Sequence, residues 1–108
     1  MTAVISEANI YAQKVTWSAL AGTGGTVDLP AAMAMASVQI NGTFNGATVV
    51  LEVNNDGTNW VPLSDKDGNT ITATAPAWFE ISSAALRVRA RVTGGASPSV
   101  NVTLAIWE

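Results

Sequence analysis

The chain has 108 residues, a formal net charge of −3, no histidine and no cysteine, and 48% of its residues are hydrophobic. Without histidine or cysteine it lacks the commonest general base, the commonest transition-metal ligand and any thiolate chemistry, so an enzyme is not expected. Only 12% of residues are charged. A soluble domain usually carries about a quarter, so part of the surface is expected to be covered by a partner.

One domain of ordinary size is implied. No apolar run is long enough to span a membrane. The opening MTAVISEANIYAQK lacks a basic region followed by a long apolar core, and is not read as a signal peptide.

Residues 1–9 are small and polar without a period and are expected to form an arm, with a single domain over 10–108. Val15, Trp17 and Ala19 alternate with Lys14, Thr16 and Ser18, which is strand spacing. A short helix over Glu7–Gln13 is the competing reading, and the β-branched and aromatic residues that follow favour the strand. Gly22, Gly24 and Gly25 form a turn, and Thr26–Leu29 a short strand ended by Pro30.

The Ala/Met segment 31–36 is too short to hold a helix alone and reads as an extended loop leading into a strand over Ser37–Phe44. In that register Met33 and Met35 share the outward parity of Ser37 and Gln39. They serve either as adaptable contacts at a surface or as filler in the protein's own core.

The stretch Gly42–Leu63 organises the remainder. Val49, Leu51 and Val53 fall on one side of an extended run, with Glu52 and Asn54 on the other. Asn54-Asn55-Asp56-Gly57-Thr58-Asn59 supplies turn chemistry, because Asn and Asp side chains bond back onto the backbone and Gly57 tolerates positive φ. Trp60 and Val61 restart a strand that Pro62 limits. Trp17 and Trp60 are expected to cap the core.

A second turn, Ser64–Asn69, leads into Thr70–Ala75, and Trp78–Ile81 form a short aromatic strand. Leu86, Val88, Ala90 and Val92 alternate with Arg87, Arg89 and Arg91. After the turn Gly94–Pro98, Val100, Val102, Leu104 and Ile106 alternate with Asn101, Thr103, Ala105 and Trp107. Eight or nine short strands with turn signals between them, and no convincing helix, give an all-β fold. The one-sided alternation suits an antiparallel two-sheet β-sandwich of jelly-roll or immunoglobulin-like kind.

Chemistry-bearing clusters are few. Asp65-Lys66-Asp67-Gly68-Asn69 has the alternate carboxylates of a calcium loop but lacks the distal bidentate glutamate, and it reads as an Asp-Gly turn. No metal or cofactor is expected. Arg87, Arg89 and Arg91 fall on one face of one strand, about 6.5–7 Å apart. They are either a charged face with cross-strand neighbours such as Glu52 or Asn101, or a partner-facing surface. Nucleic acid is not expected, because that face has no interleaved aromatics and the chain is acidic. Trp107 shares the outward parity of Thr103, which suits an interface or a sugar platform.

The stretch SVQINGTFNGATVVLEVNNDGTNWVPLSDKDGN, the strand LRVRARVTGG and the final VNVTLAIW resemble a family of small tailed-phage and prophage virion proteins. The resemblance spans roughly residues 36–107 and rests on turn and core features. It implies a capsid decoration, or cement, protein on the outer capsid surface, made in the bacterial cytoplasm and bound to the major capsid protein, with a trimer favoured. Head-fibre, neck or tail accessory roles are its neighbours. Candidate contacts under that reading are Met33, Met35, Arg87, Arg89, Arg91 and Trp107. The run Asn54–Trp60 is also similar to a Ser-x-Asp-Gly-x-x-Trp turn of discoidin-like carbohydrate- or lipid-binding sandwiches. That keeps a carbohydrate-binding module, or a weak surface-glycan contact, as the alternative.

Overall fold

The computed structural model describes residues 3–8, 12–29, 35–82 and 85–107. Within them the chain forms ten strands and no helix. They are β1 (Ala3–Ala8), β2 (Ala12–Leu20), β3 (Val27–Asp28), β4 (Met35–Thr43), β5 (Ala47–Asn54), β6 (Val61–Pro62), β7 (Thr72–Ala73), β8 (Ala77–Ile81), β9 (Arg87–Gly94) and β10 (Ser99–Trp107). The arm expected over residues 1–9 carries β1. Among the described residues no helix is long and apolar enough to cross a membrane.

The strands form two antiparallel sheets, β1-β2-β10-β4-β8 and β3-β9-β5-β6, with β7 also pairing with β5. We call them sheet A and sheet B. The alternation read from sequence sets which face is inward. Val38 and Ile40 of β4, Val100, Val102, Leu104 and Ile106 of β10, Val49 and Leu51 of β5, and Val88, Ala90 and Val92 of β9 are buried in one core. Each large apolar side chain so buried contributes about 1.5–3 kcal/mol relative to exposure. Leu86 departs from its expected row: it precedes β9 and is exposed.

Trp17 is fully buried, and its indole Nε1 donates to the Gly25 carbonyl at 2.9 Å. A Cβ on Gly24 would stand 2.5 Å from the Trp17 ring, so only glycine lets that turn close over the indole. Sequence alternation put Ala19 on the same face as Trp17. Instead Ala19 is exposed and Leu20 is buried. The register with β10 shifts there, since Val102 pairs with Trp17 but Val100 pairs with Leu20. One extra residue in β2 is a β-bulge. Ala19 takes the left-handed φ of 50°, and its N–H is held by Asn101 Oδ1 at 3.0 Å.

Two of the connections that carry the chain from one sheet to the other are the turns after β4 and after β9. The turns bind one another: Ala96 N–H donates to the Asn45 carbonyl, and Asn45 Nδ2 donates to the Ala96 carbonyl. They close one end of the sandwich. At the other end lie the Asn55–Asn59 turn and the segment before β9, joined where Leu86 N–H donates to Asn55 Oδ1 at 2.8 Å.

Candidate functional site

Inward positions are filled by the core, so the sequence-derived contacts lie on the outer faces. They divide between the two sheets.

On sheet A the register sets Met35 directly beside Trp107. Met35 is 52% exposed and Trp107 43% exposed. The parity expected from sequence for Met35 is present, while Met33 lies outside the described residues. Trp78 of β8 lies on the same face beside Gln39, as does Glu80 beside Ser37. Sequence reading placed Trp78 in an aromatic strand and gave it no role. Its alternation with Phe79 and Ile81 was the available signal.

On sheet B, Arg87, Arg89 and Arg91 align opposite Asn54, Glu52 and Val50 of β5. Glu52 is only 7% exposed. Its Oε1 accepts hydrogen bonds from Arg89 Nε at 2.9 Å and lies 2.9 Å from Arg89 Nη2. Arg91 Nε stands 3.3 Å from the same oxygen, an ionic contact without hydrogen-bond geometry. Arg87 Nε lies 3.6 Å from Asp28 Oδ1, and its Nη1 donates to Asn54 Oδ1 at 3.4 Å. Asn101, considered a neighbour of the arginines from sequence, belongs to sheet A and binds Ala19 instead.

Trp60 does not cap the core as expected. It lies over Arg89, whose Cζ is 4.2 Å from the ring centroid. Such a cation–π contact contributes roughly 0.5–2 kcal/mol. The stack of indole, guanidinium and carboxylate covers Glu52 and half-buries the arginines. The arginine row is therefore a network closed largely on itself.

The Asn54–Asn59 turn forms as its residues imply. Asp56 Oδ1 accepts from the N–H groups of Thr58 and Asn59, and its Oδ2 accepts from Asn59 Nδ2. These donors, the Asn59 N–H first, hold the Asp56 carboxyl down to about 2 from its ordinary 3.8. In the second turn Asp65 Oδ1 accepts from the N–H groups of Asp67 and Asn69. Among the described residues no three acidic side chains converge as a metal site.

No family model and no curated protein matches the sequence of this chain. Solved structures do match its fold. The SPBc2 prophage-derived protein YomS superposes with a TM-score of 0.65 at 10% identity, over 95% of this chain and 100% of that one. The PBSX exported protein XepA superposes with a TM-score of 0.69 at 10% identity, over 94% of this chain; the chain spans 40% of XepA. The shared property is the two-sheet fold.

Proposed function

We propose that this chain is a structural protein of a tailed-phage particle, a decoration or cement protein that binds the outside of the major capsid lattice. The observation that carries the reading is the fold likeness to prophage-derived YomS over 100% of that chain. The local motifs from Gly42 to Trp107 that resemble virion proteins support it from sequence.

The mechanism is binding by surface, without a catalytic step. Met35 and Trp107 form an exposed apolar pair that a capsid subunit would cover. On the opposite side of the sandwich Arg89 is committed to Glu52 and Trp60, and the more exposed Arg87 and Arg91 are left to support a second, more polar contact. A protein with contacts on two opposed faces can bridge neighbouring lattice subunits, and a trimer at three-fold positions would repeat each contact. Repetition raises the effective strength of individually modest contacts.

Cosedimentation with empty capsids tests the proposal. Saturable binding at a fixed ratio to capsid subunits is expected. Met35→Ala with Trp107→Ala should weaken it about tenfold or more, the loss expected of an apolar anchor at an interface, without changing the melting temperature. Absence of capsid binding would overturn the decoration role and favour a head-fibre, neck or tail position.

A further inference from the structure

We propose that the depression beside Trp78 is a binding subsite for a neutral hexose, a site distinct from the capsid contacts. Trp78 is 61% exposed. The other tryptophans of the two sheets are committed elsewhere: Trp17 to the core, Trp60 to Arg89, and Trp107 to the pair with Met35. The Asp65–Asn69 turn is anchored against β8 by Lys66 N–H donating to the Glu80 carbonyl at 2.8 Å. Between turn and strand is an open depression of about 220 Å³, walled by Asp65, Lys66, Asp67, Trp78, Phe79 and Glu80.

A pyranose ring presents a face of C–H groups and a rim of hydroxyls that both donate and accept. The indole face takes the C–H side, as aromatic rings with a polar surround do at half-wet sites. The rim groups here are complementary: carboxylates that only accept and an ammonium that only donates. Lys66 Nζ is 3.5 Å from Asp67 Oδ1 and 4.0 Å from Glu80 Oε2. Such loose, exposed pairs are worth little to the fold, so hydroxyls can replace them at low cost. Asp65 is tied into its own turn and shapes the wall. The size suits one ring resting on a platform, being below the roughly 300–1,000 Å³ of enclosing pockets.

The acidic side chains alone would define no site; the exposed indole points to the ligand. Three carboxylates against one ammonium disfavour anionic sugars. An apolar protein surface laid here would strip water from all four charges while offering them no new partner. Trp78 and Trp107 lie beside Gln39 and Met35 of β4, so they are offset by about 13 Å along the strand direction and further separated by the width of β4 between them.

The test is titration of the full chain with glucose, galactose and their neutral oligosaccharides, with sialyllactose as the anionic comparison. Binding is followed by the indole N–H resonance of Trp78 and by calorimetry. Saturable binding of a neutral sugar is expected, with sialyllactose weaker. Trp78→Ala should weaken it at least about tenfold, the effect expected of a lost stacking platform, while Trp78→Phe retains most of it and Trp107→Ala leaves it unchanged. No binding by any neutral sugar, or binding that survives Trp78→Ala, would overturn the site. Loss of capsid cosedimentation in Trp78→Ala would also overturn it, by assigning the indole to the capsid contact. Because capsid binding is read separately, failure of either proposal is recognised without the other.

Discussion

Glu52 is the residue on which the outer face of sheet B depends. Its carboxylate is shared by Arg89 and Arg91 beneath the Trp60 ring. Glu52→Gln should lower unfolding stability by about 1–3 kcal/mol, the range for a hydrogen bond to a charged group whose partner is left partly buried. Urea denaturation measures this, and a double-mutant cycle with Arg89→Ala should show non-additivity. A charge reversal at Arg89 would therefore disturb the fold as well as any contact, and Trp107 is the cleaner probe of assembly. Alternation placed the three arginines on one face and offered Glu52 and Asn101 alike as neighbours; the β5–β9 register selects Glu52. Its burial, and the position of Trp60 over Arg89, were not readable from alternation, because both depend on which strands become neighbours. Asp56 gives a pH signature. Its folded carboxyl titrates near 2 against an ordinary 3.8, so its contribution is complete above about 3.8 and is lost as pH falls through about 2. The stability difference between the parent and Asp56→Ala should shrink over that interval, with a carboxyl carbon-13 titration locating the midpoint.

At the scale of elements, period-two alternation located β4, β5, β9 and β10 with their buried faces. It failed at β2, where the bulge turns Ala19 outward and Leu20 inward. Nothing in Trp17-Ser18-Ala19-Leu20 marks the insertion; the signal lies in Asn101, eighty-two positions away, which holds the Ala19 N–H. Asn101→Ala should cost about 1 kcal/mol, the usual worth of such a bond, and should raise hydrogen exchange at Ala19 selectively. Gly42 of β4 is another local constraint. It has φ of 114°, and a Cβ would stand 2.5 Å from the Ser99 carbonyl oxygen. Gly42→Ala is expected to be among the more destabilising single-methyl changes, by about 1–3 kcal/mol for a strained backbone position. Thermal melting of this variant beside Gly46→Ala, where no atom closer than 4.0 Å opposes the new Cβ, separates steric conflict from the cost of positive φ. Turns were the most legible elements, because the bonds made by Asp56 and Asp65 are local.

For the whole molecule, composition and alternation were enough for a two-sheet sandwich, but not for the order β1-β2-β10-β4-β8. Strands of similar length and apolarity can pair in many orders, and the choice is made by contacts distant in sequence. The same limit hid the candidate surfaces. Met35 and Trp107 each had outward parity, yet their side-by-side placement required the β4–β10 register. The arginine row and that apolar pair occupy opposite outer faces, so no single flat partner can cover both. If both faces bind in a capsid, Trp107→Ala and Arg87→Ala should weaken cosedimentation additively, as independent sites do; a strictly non-additive pair would place the contacts at one shared boundary.

The position of β10 bears on how the chain is made. It is the last of the ten described strands and a central one in its sheet, flanked by β2 and β4. All of sheet B precedes it and can associate while synthesis continues, whereas β2 and β4 must wait for residues 99–107 to leave the ribosome. Until then the inner surfaces of both sheets lack a complete counterpart, and the nascent chain is exposed to association with its neighbours on the same message. Sheet A therefore depends on pairings of long sequence separation, and such pairings close more slowly than local ones because the intervening chain must be ordered first.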